Sequence, residues 1–392
     1  MTALRPDTQA VHAGDEPDPA TGALDAPVVL SSAFAFASAD TAAAVFRGEQ
    51  DGWVYSRWRN PTVEAFERKI AALEGAEDAA AFGSGMAAIH AVLGGLTSAG
   101  DHIVSASRIY AETAVLLRGP LARTGVEGTF VDPADPAEVA SALRPETRLV
   151  HLETPANPTL AITDLAAVTT ALGDHPATVA VDSTFATPYH QQPLRHGAHL
   201  VIHSATKGLC GHGDAVGGVV AGAERQVAEI RRLGVRTYGG ALAPLSAMLL
   251  SRGVRTLSVR MARASANALT LAQRLHEDPR VERVHYPGLP DHAGHDAARR
   301  QMTRGFGALV AFEVRGGRDA GARLYDTVGL IHRAVSLGDV RSLLTHPAST
   351  THASWTAEQR AAAGIGEGLL RLSVGIEDVE DLWEDLDQHL PG

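Results

Sequence analysis

Residues 200–208 read Leu200-Val201-Ile202-His203-Ser204-Ala205-Thr206-Lys207-Gly208, an apolar run followed by hydroxyl side chains and a lysine. The run is typical of a buried strand, and the polar residues follow its carboxyl end. Lys207 and Lys69 are the only lysines among 392 residues. Lysine, unlike arginine, can lose its proton in a low-dielectric site and form an imine. The stretch therefore predicts amine chemistry at Lys207; the alternative is an ordinary loop lysine in an arginine-rich chain.

Short apolar runs alternate with helical patterns between residues 79 and 222. Four runs predict buried strands: Ile103-Val104, Leu149-Val150-His151-Leu152, Val179-Ala180-Val181 and Leu200-Val201-Ile202. Residues 84–96 and 162–172 predict helices between them, the second capped by Asp164 or Thr163. This alternation predicts an α/β fold with a mainly parallel sheet covered on both faces.

The sequence predicts that the chain is divided into three parts. Residues 1–55 lack sustained periodicity and predict an extended arm of the kind that embraces a partner subunit. Residues 56–250 predict the large domain. Residues 251–392 predict a smaller C-terminal α+β domain with strands at 281–285, 309–314 and 369–374, and a final acidic helix at 378–390. The boundary falls within a long helical stretch at 244–277.

One helix is marked clearly at both ends. Asn60 is a favourable cap, Pro61 suits the first turn, and Gly75 suits the end. The apolar residues between them recur at helical spacing: Val63, Phe66, Ile70 and Leu73. This pattern places Lys69 on the polar side of the helix.

Composition excludes several classes of protein. The net charge of -11 is spread without a basic stripe, which argues against a nucleic-acid partner. Residues 26–39 lack the basic start of a signal peptide, and glycines and polar residues interrupt the uncharged stretch 79–100, so no membrane segment is expected. Cys210 is the only cysteine, so no internal disulfide forms and a reducing, cytoplasmic location is expected.

Four polar clusters lie at predicted strand ends. They are Gly83-Ser84-Gly85-Met86, Glu153-Thr154-Pro155-Ala156-Asn157-Pro158, Asp182-Ser183-Thr184 and Ser204-Ala205-Thr206-Lys207. Ligands of open α/β sheets bind beyond the carboxyl ends of the strands. We therefore expect the clusters to line one pocket.

The residue types in this pocket suit pyridoxal 5'-phosphate. The loop at Gly85 begins a helix whose free N–H groups suit a phosphate, and Ser204 and Thr206 can add hydroxyl donors. Asp182 suits a pyridinium N–H, and Tyr110 can stack on the ring. Each has a structural alternative: backbone satisfaction for the hydroxyls, a helix cap or buried ion pair for Asp182, and core packing for Tyr110.

Two competing patterns are weaker. Gly83-x-Gly85-x-x-Ala88 with Asp101 mimics a dinucleotide fingerprint, but it does not open the first βαβ unit cleanly and leaves Lys207 unexplained. His292 with His295, and His199 with His203, lack a suitably spaced carboxylate or cysteine, so no metal site is expected.

The chain resembles the Cys/Met-metabolism family of pyridoxal-phosphate enzymes along nearly its whole length. The most specific motifs are Val181-Asp182-Ser183-Thr184-Phe185-Ala186-Thr187-Pro188 and His203-Ser204-Ala205-Thr206-Lys207. Ser336-Leu337-Gly338-Asp339 and the segment 346–352 are most similar to methionine γ-lyases. The resemblance implies the type I, aspartate-aminotransferase-like fold, with a seven-stranded sheet in the pyridoxal-phosphate-binding domain.

The resemblance also implies roles for individual residues. Lys207 would hold the cofactor, Asp182 its ring nitrogen, Tyr110 its face and Asn157 its phenolic oxygen. Gly85, Met86, Ser204 and Thr206 would hold the phosphate. Arg371 would bind the substrate α-carboxylate, with Ser336 nearby. Tyr55 and Arg57 would reach a neighbouring subunit's cofactor phosphate, which implies a homotetramer built from dimers with shared sites.

Four positions depart from the family pattern. Ser183 replaces the usual Asn, and Thr350 stands where methionine γ-lyases often have Met. Glu112 is the second residue of the pair Ala111-Glu112 after Tyr110, where methionine γ-lyases usually have Gly-Cys and cystathionine enzymes Gly-Gly. Arg341 stands where many members carry Glu. We expect Glu112 and Arg341 to pair with each other, to bind a charged distal group of the substrate, or to point to solvent.

The predicted activity is γ-elimination on methionine or a related sulfur amino acid, with Lys207, Tyr110 and Asp182 as the catalytic groups. The products would be a 2-oxo acid, ammonia and a thiol. The alternatives are a cystathionine γ-lyase, γ-replacement on an O-acylhomoserine, and a non-catalytic pyridoxal-phosphate carrier.

Overall fold

A seven-stranded sheet organises the larger part of this computed structural model, which describes residues 4–362 and 364–392. Its strands are β1 Asp78–Phe82, β2 His102–Ala106, β3 Glu127–Val131, β4 Thr147–Glu153, β5 Thr178–Asp182, β6 Leu200–His203 and β7 Gly218–Gly222. They lie in the order β1-β7-β6-β5-β4-β2-β3. Strand β7 runs antiparallel to both of its neighbours, whereas the other neighbouring strands are parallel. The predicted mainly parallel sheet is confirmed.

Helices cover both faces of this sheet, and other helices pack on the strands of the C-terminal part of the chain. The α-helices are α1 Pro6–His12, α2 Ala39–Arg47, α3 Pro61–Glu74, α4 Gly85–Leu93, α5 Ala111–Leu116, α6 Pro136–Ser141, α7 Leu165–Ala171, α8 Thr187–His190, α9 Glu224–Ile230, α10 Pro244–Val254, α11 Leu257–Glu277, α12 His295–Gln301, α13 Gly317–Thr327, α14 Ala357–Ala362 and α15 Val379–Asp387. Of these, α11 and α13 pack on the C-terminal strands. Because strand side chains alternate between faces, Ala80 and Phe82 join one core and Ala79 and Ala81 join the other. In the described parts of the chain, no helix combines the length and apolarity needed to cross a bilayer.

The four predicted strands all form, as β2, β4, β5 and β6. Helix α4 begins as predicted, with the Ser84 hydroxyl accepting the Ala87 N–H at 3.1 Å. Helix α7 is shorter than predicted because Asp164, and not a residue nearer 162, caps it. Strand β3 lies at the sheet edge and exposes its first residues, so it lacks the apolar run that marked the others.

Helix α3 has the predicted ends, but Lys69 has a different environment from the one expected. Asn60 accepts the Thr62 and Val63 N–H groups, and Gly75 ends the helix at φ 68°. Lys69 is 0% exposed, and its ammonium group donates to Asp15 at 2.9 Å and to the Ala10 carbonyl. The polar side of α3, on which Lys69 was predicted to lie, is therefore not open to solvent at this residue, because the N-terminal segment covers it.

The N-terminal segment is not extended throughout. It contains α1, which packs on α3, and α2, whose first turn is capped by Ser38 and which ends at Gly48 in the left-handed region. None of the residues of α2 is buried. The signals for α2 are therefore the capping residues at its two ends and not a buried apolar face.

The C-terminal third forms a second sheet. Its strands are β8 Val281–His285, β9 Leu309–Val314, β10 His332–Arg333, β11 Leu343–Thr345 and β12 Leu369–Ser373, in the order β10-β11-β12-β9-β8. The predicted helical stretch 244–277 is two helices, because α10 ends at Val254 and α11 begins at Leu257. This break lies near the predicted domain boundary. Asp378 caps α15, the acidic helix predicted at the end of the chain.

Candidate active site

A cavity of about 390 Å³ lies at the carboxyl ends of β4, β5 and β6, facing the start of α4. Five side chains predicted to act on cofactor or substrate line it: Tyr110, Asp182, Lys207, Ser336 and Arg371. Gly85, Met86, Asn157, Ser204 and Thr206 line it as well. The structure thus brings together residues from both sheets, up to 286 positions apart in the chain in the case of Gly85 and Arg371.

Lys207 enters this cavity from the turn that follows β6. Its backbone N–H donates to the Ser204 carbonyl at 3.2 Å, and its ammonium group donates to the Ser336 hydroxyl at 2.9 Å. Burial, and secondarily the charge of Arg371, lowers the pKa of Lys207. A lowered pKa increases the fraction of Lys207 that is present as the neutral amine, which is the nucleophilic form.

Asp182 ends β5 with its carboxyl group buried beside the cavity. Its Oδ1 accepts hydrogen bonds from the Thr184 N–H at 3.0 Å and from the Thr184 hydroxyl. Burial raises the pKa of Asp182, whereas the two Thr184 bonds favour its ionised form. A cationic ring N–H would compensate the cost of keeping this charge buried.

The loop before α4 has the shape expected of a phosphate cradle. A Cβ atom on Gly85 would lie 2.8 Å from the Ser204 Cβ, closer than real Cβ atoms approach. Only glycine therefore fits there, and the backbone N–H groups at the start of α4 stay accessible from the cavity. The Ser204 N–H donates to the Thr184 hydroxyl at 2.8 Å, which joins the cradle to the turn after β5.

Arg371 is a buried cation with a nitrogen that the protein leaves unpaired. Its Nη1 donates to the Asn157 side-chain oxygen at 2.7 Å, and its Nη2 donates to the carbonyls of Val335 and Ser336. Its Nε is buried with no partner among the described residues. Burial lowers the pKa of Arg371 to about 10. An unpaired N–H on a desolvated guanidinium suits a carboxylate ligand.

Tyr110 lies at the mouth of the cavity, at the start of α5, and its side chain is 43% exposed. Burial, followed by the charges of Glu112 and Glu153, raises the pKa of Tyr110. The hydroxyl group therefore keeps its proton through neutral pH.

Glu153 is a cavity residue to which the sequence assigned no role. It ends β4 with 6% exposure, and its carboxyl group accepts the backbone N–H groups of Tyr110 and Asn157. Burial and the neighbouring Asp182 raise the pKa of Glu153. A carboxyl group at the end of a largely buried strand was the available signal, and it is the same signal that identified Asp182.

Tyr55 and Arg57 lie outside this cavity within the single chain. Both are exposed; the Arg57 guanidinium lies 5.4 Å from the centre of the Tyr55 ring and donates to the Arg236 carbonyl.

Glu112 and Arg341 do not form an ion pair with each other. Arg341 pairs instead with Asp339, with its Nη2 at 3.0 Å from Oδ2, and both Arg341 and Glu112 are exposed. An aspartate two residues away reaches the guanidinium at lower entropic cost than a distant glutamate. Of the three arrangements expected for Glu112 and Arg341, the structure therefore excludes a direct ion pair between them.

The histidines singled out in the sequence have structural partners. His203 bonds Glu74 at 2.6 Å, His199 accepts the Val179 N–H, and His295 bonds the Pro287 carbonyl. Across residues 4–362 and 364–392, no cluster of three or more His, Cys, Asp or Glu side chains is arranged to hold a metal.

A lysine after a strand end, a buried carboxylate and a glycine-bounded cradle lie around one cavity, an arrangement that suits pyridoxal phosphate. The chain belongs to the Cys/Met metabolism PLP-dependent enzyme family, whose model matches residues 7–391. It is 46% identical to an L-methionine gamma-lyase of Porphyromonas gingivalis, over 97% of this chain and 95% of that protein. It is 44% identical to an O-succinylhomoserine sulfhydrylase of Pseudomonas aeruginosa, over 97% and 94% of the two chains.

A solved structure extends the likeness to the fold. The crystal structure titled cystathione gamma lyase (CalE6), from Micromonospora echinospora, has a TM-score of 0.92 and 40% identity. The match covers 99% of this chain and 100% of that one. The fold is therefore the one predicted, and pyridoxal phosphate is the cofactor of the family.

Proposed function

We propose that this protein catalyses γ-elimination on methionine or a related sulfur amino acid, releasing a 2-oxo acid, ammonia and a thiol. The observation that carries the proposal is that Arg371, a buried guanidinium with an unpaired Nε, lines the same cavity as Lys207. Arg371 binds the substrate α-carboxylate, which directs the α-amino group toward Lys207. A non-catalytic carrier of the cofactor has no use for such a clamp.

The cavity wall favours a thioether as the distal group. Its apolar side chains include Ile89, Phe185, Val216, Val335 and Leu337. A methylthio group loses little on leaving water for such a surface, whereas an unpaired distal charge loses much. The relatives named L-methionine gamma-lyase support the same substrate.

Each catalytic residue has a defined task. Pyridoxal phosphate, when bound, supplies an electron sink for charge that develops at the substrate carbons. Lys207 carries protons between Cα and Cβ of the substrate, because its lowered pKa lets it both accept and release them. Asp182 keeps the ring nitrogen protonated, and Gly85, Met86, Ser204 and Thr206 hold the phosphate. Tyr110 donates a proton to the departing thiolate.

A competing activity uses the same residues. In γ-replacement on an O-acylhomoserine, a thiol adds where the acyloxy group left, and an amino acid is returned without release of ammonia. The O-succinylhomoserine sulfhydrylase among the relatives supports this second candidate. A cystathionine γ-lyase is the third, and the relative titled cystathione gamma lyase supports it.

Product analysis distinguishes the three. Ammonia and 2-oxo acid are measured with methionine, homocysteine, cystathionine and O-acylhomoserines, each with and without added thiol. We expect the largest kcat/KM for ammonia release with methionine. Conversion of an acylhomoserine and a thiol into a new amino acid, with no ammonia from methionine, contradicts the proposal.

We further propose a homotetramer built from dimers that share active sites, acting in the cytoplasm. The exposed Tyr55 and Arg57, outside the cavity of their own chain, support a role for them in a neighbour's phosphate site. Cys210 is a free, buried thiol, which is compatible with a reducing compartment.

A further inference from the structure

Glu153 and Asp182 are two carboxyl groups at matching positions on adjacent strands. Strands β4 and β5 are parallel, and their register pairs Glu153 with Asp182. Side chains of paired residues point to the same face of a sheet, so both carboxyl groups face the cavity. The proposed function uses Asp182 but gives no task to Glu153.

The Glu153 carboxyl group accepts hydrogen bonds from two other residues that line the cavity. Its Oε2 accepts the Tyr110 N–H at 2.6 Å, and its Oε1 accepts the Asn157 N–H at 3.1 Å. The Asn157 side-chain oxygen in turn accepts from Arg371 at 2.7 Å. Glu153 is therefore linked directly to the Tyr110 backbone and, through the backbone and side chain of Asn157, to Arg371.

Burial makes both carboxyl groups costly as anions. Asp182 receives two hydrogen bonds from Thr184 that stabilise its ionised form. The amide N–H groups of Tyr110 and Asn157 do the same for Glu153, whose pKa is raised by burial and by the Asp182 charge. The buried Glu153 carboxyl group therefore depends on these two amides for its hydrogen bonds.

We propose that Glu153 is a positioning residue, whose carboxyl group holds Tyr110 and, through Asn157, Arg371 in the places from which they act. This inference rests on the roles given to Tyr110 and Arg371 in the proposed function. Two amide donors converge on two oxygens of one side chain. Glutamine has a single acceptor oxygen, and its NH₂ group would face the second donor, so it cannot satisfy both.

The test compares wild type with Glu153→Gln by the binding of glycine, an amino acid with an α-carboxylate and no leaving group. Binding is followed by the change in cofactor absorbance, and ring orientation is followed by visible circular dichroism. We expect the half-saturating glycine concentration to rise roughly fivefold or more, as a lost buried hydrogen bond requires. The visible circular dichroism band should weaken, while pyridoxal phosphate binding to the apo-protein changes by less than about threefold.

Glu67→Gln is the matched control. Glu67 is also a buried glutamate that accepts a strand N–H, from Ala81 at 2.7 Å, and its pKa is also raised by burial, but it does not line the cavity. We expect it to leave glycine binding and the visible band unchanged. Hydrogen exchange of the apo-proteins adds a readout that needs no cofactor, since only Glu153→Gln should deprotect at least one of the Tyr110 and Asn157 amides.

Glycine binding within twofold of wild type, with unchanged exchange at Tyr110 and Asn157, overturns the proposal. If Glu153→Gln fails to fold, Glu153→Asp decides by the same criteria, because the shorter carboxylate cannot reach both donors. The glycine result stands whether or not the wild-type protein eliminates a thiol. A protein that binds glycine and releases no 2-oxo acid contradicts the proposed function and not the role of Glu153.

Discussion

Lys207 is the residue on which the proposed chemistry depends, and its environment separates it from Lys69. Lys69 is buried and held by Asp15, whereas Lys207 is half-buried, faces the cavity and bonds only a neutral hydroxyl among the described residues. Burial lowers the pKa of both ammonium groups. The Asp15 carboxylate opposes this effect at Lys69, whereas the Arg371 charge adds to it at Lys207.

We expect Lys207→Ala to lose the visible absorbance of lysine-bound pyridoxal phosphate. Lys207→Arg should lose it too, because a guanidinium cannot form an imine. The measurement is the absorbance of dialysed protein, followed by borohydride reduction and peptide mapping of the wild type. A reduced label found on Lys69 would show that the site assignment is wrong.

Tyr110 offers a second test at the same scale. Removing a proton donor from the reacting groups costs about 10²- to 10⁴-fold in rate, so Tyr110→Phe should lower kcat by roughly 100-fold or more. Because the pKa of Tyr110 is raised, wild-type kcat should fall only above the usual titration range of tyrosine. Glu112→Gln removes a charge that raises this pKa and should move the alkaline limb to lower pH. An alkaline limb that is unchanged in Tyr110→Phe would exclude Tyr110 as the acid.

Capping residues test the structure at the scale of helices and strands. Asn60 caps α3 and also donates to the Val29 carbonyl, whereas Ser38 caps α2, which buries no residue. Asn60→Ala should destabilise the fold by about 1–2 kcal/mol, and Ser38→Ala should have a smaller effect. The thermal unfolding midpoints of the two variants measure the difference. Equal midpoints would mean that α3 contributes no more to the cooperative unit than α2.

The elements that the sequence could predict are those whose signals are local. A strand buried on both faces, such as β6, is a continuous apolar run, and a capped helix such as α3 has Asn60 at one end and Gly75 at the other. The Lys69 environment could not be predicted, because its partner Asp15 is 54 positions away and reaches it only when the N-terminal segment packs on α3. The link from Glu153 to Tyr110 is equally remote, at 43 positions.

At the scale of the whole molecule, Tyr55 and Arg57 lie apart from the cavity of their own chain. That cavity is lined by Lys207, Tyr110 and Arg371, whereas Tyr55 and Arg57 are exposed outside it. Arg57 lies within a cluster of basic and aromatic side chains, in which the Arg236 guanidinium is 3.5 Å from the Trp58 ring centre. A cofactor phosphate carries two negative charges near neutral pH, and the cradle of one chain offers neutral donors to it. A cation supplied by a neighbour would balance that charge.

Complementation between two inactive variants tests this arrangement. Arg57→Ala should weaken cofactor binding and activity at a neighbour's site, and Lys207→Ala should inactivate its own site. In a mixed dimer, one cavity combines Lys207 from one chain with Arg57 from the other, while the second cavity lacks both. Remixing the variants in equal amounts should therefore restore about a quarter of wild-type activity if subunits exchange at random, since half of the dimers are mixed and each has one intact site.

Arg47→Ala serves as the control. It removes an exposed arginine whose only ion pair among the described residues is with Glu49. This variant should be active without mixing. Verified mixed oligomers that recover no activity would show that each site is complete within its own chain.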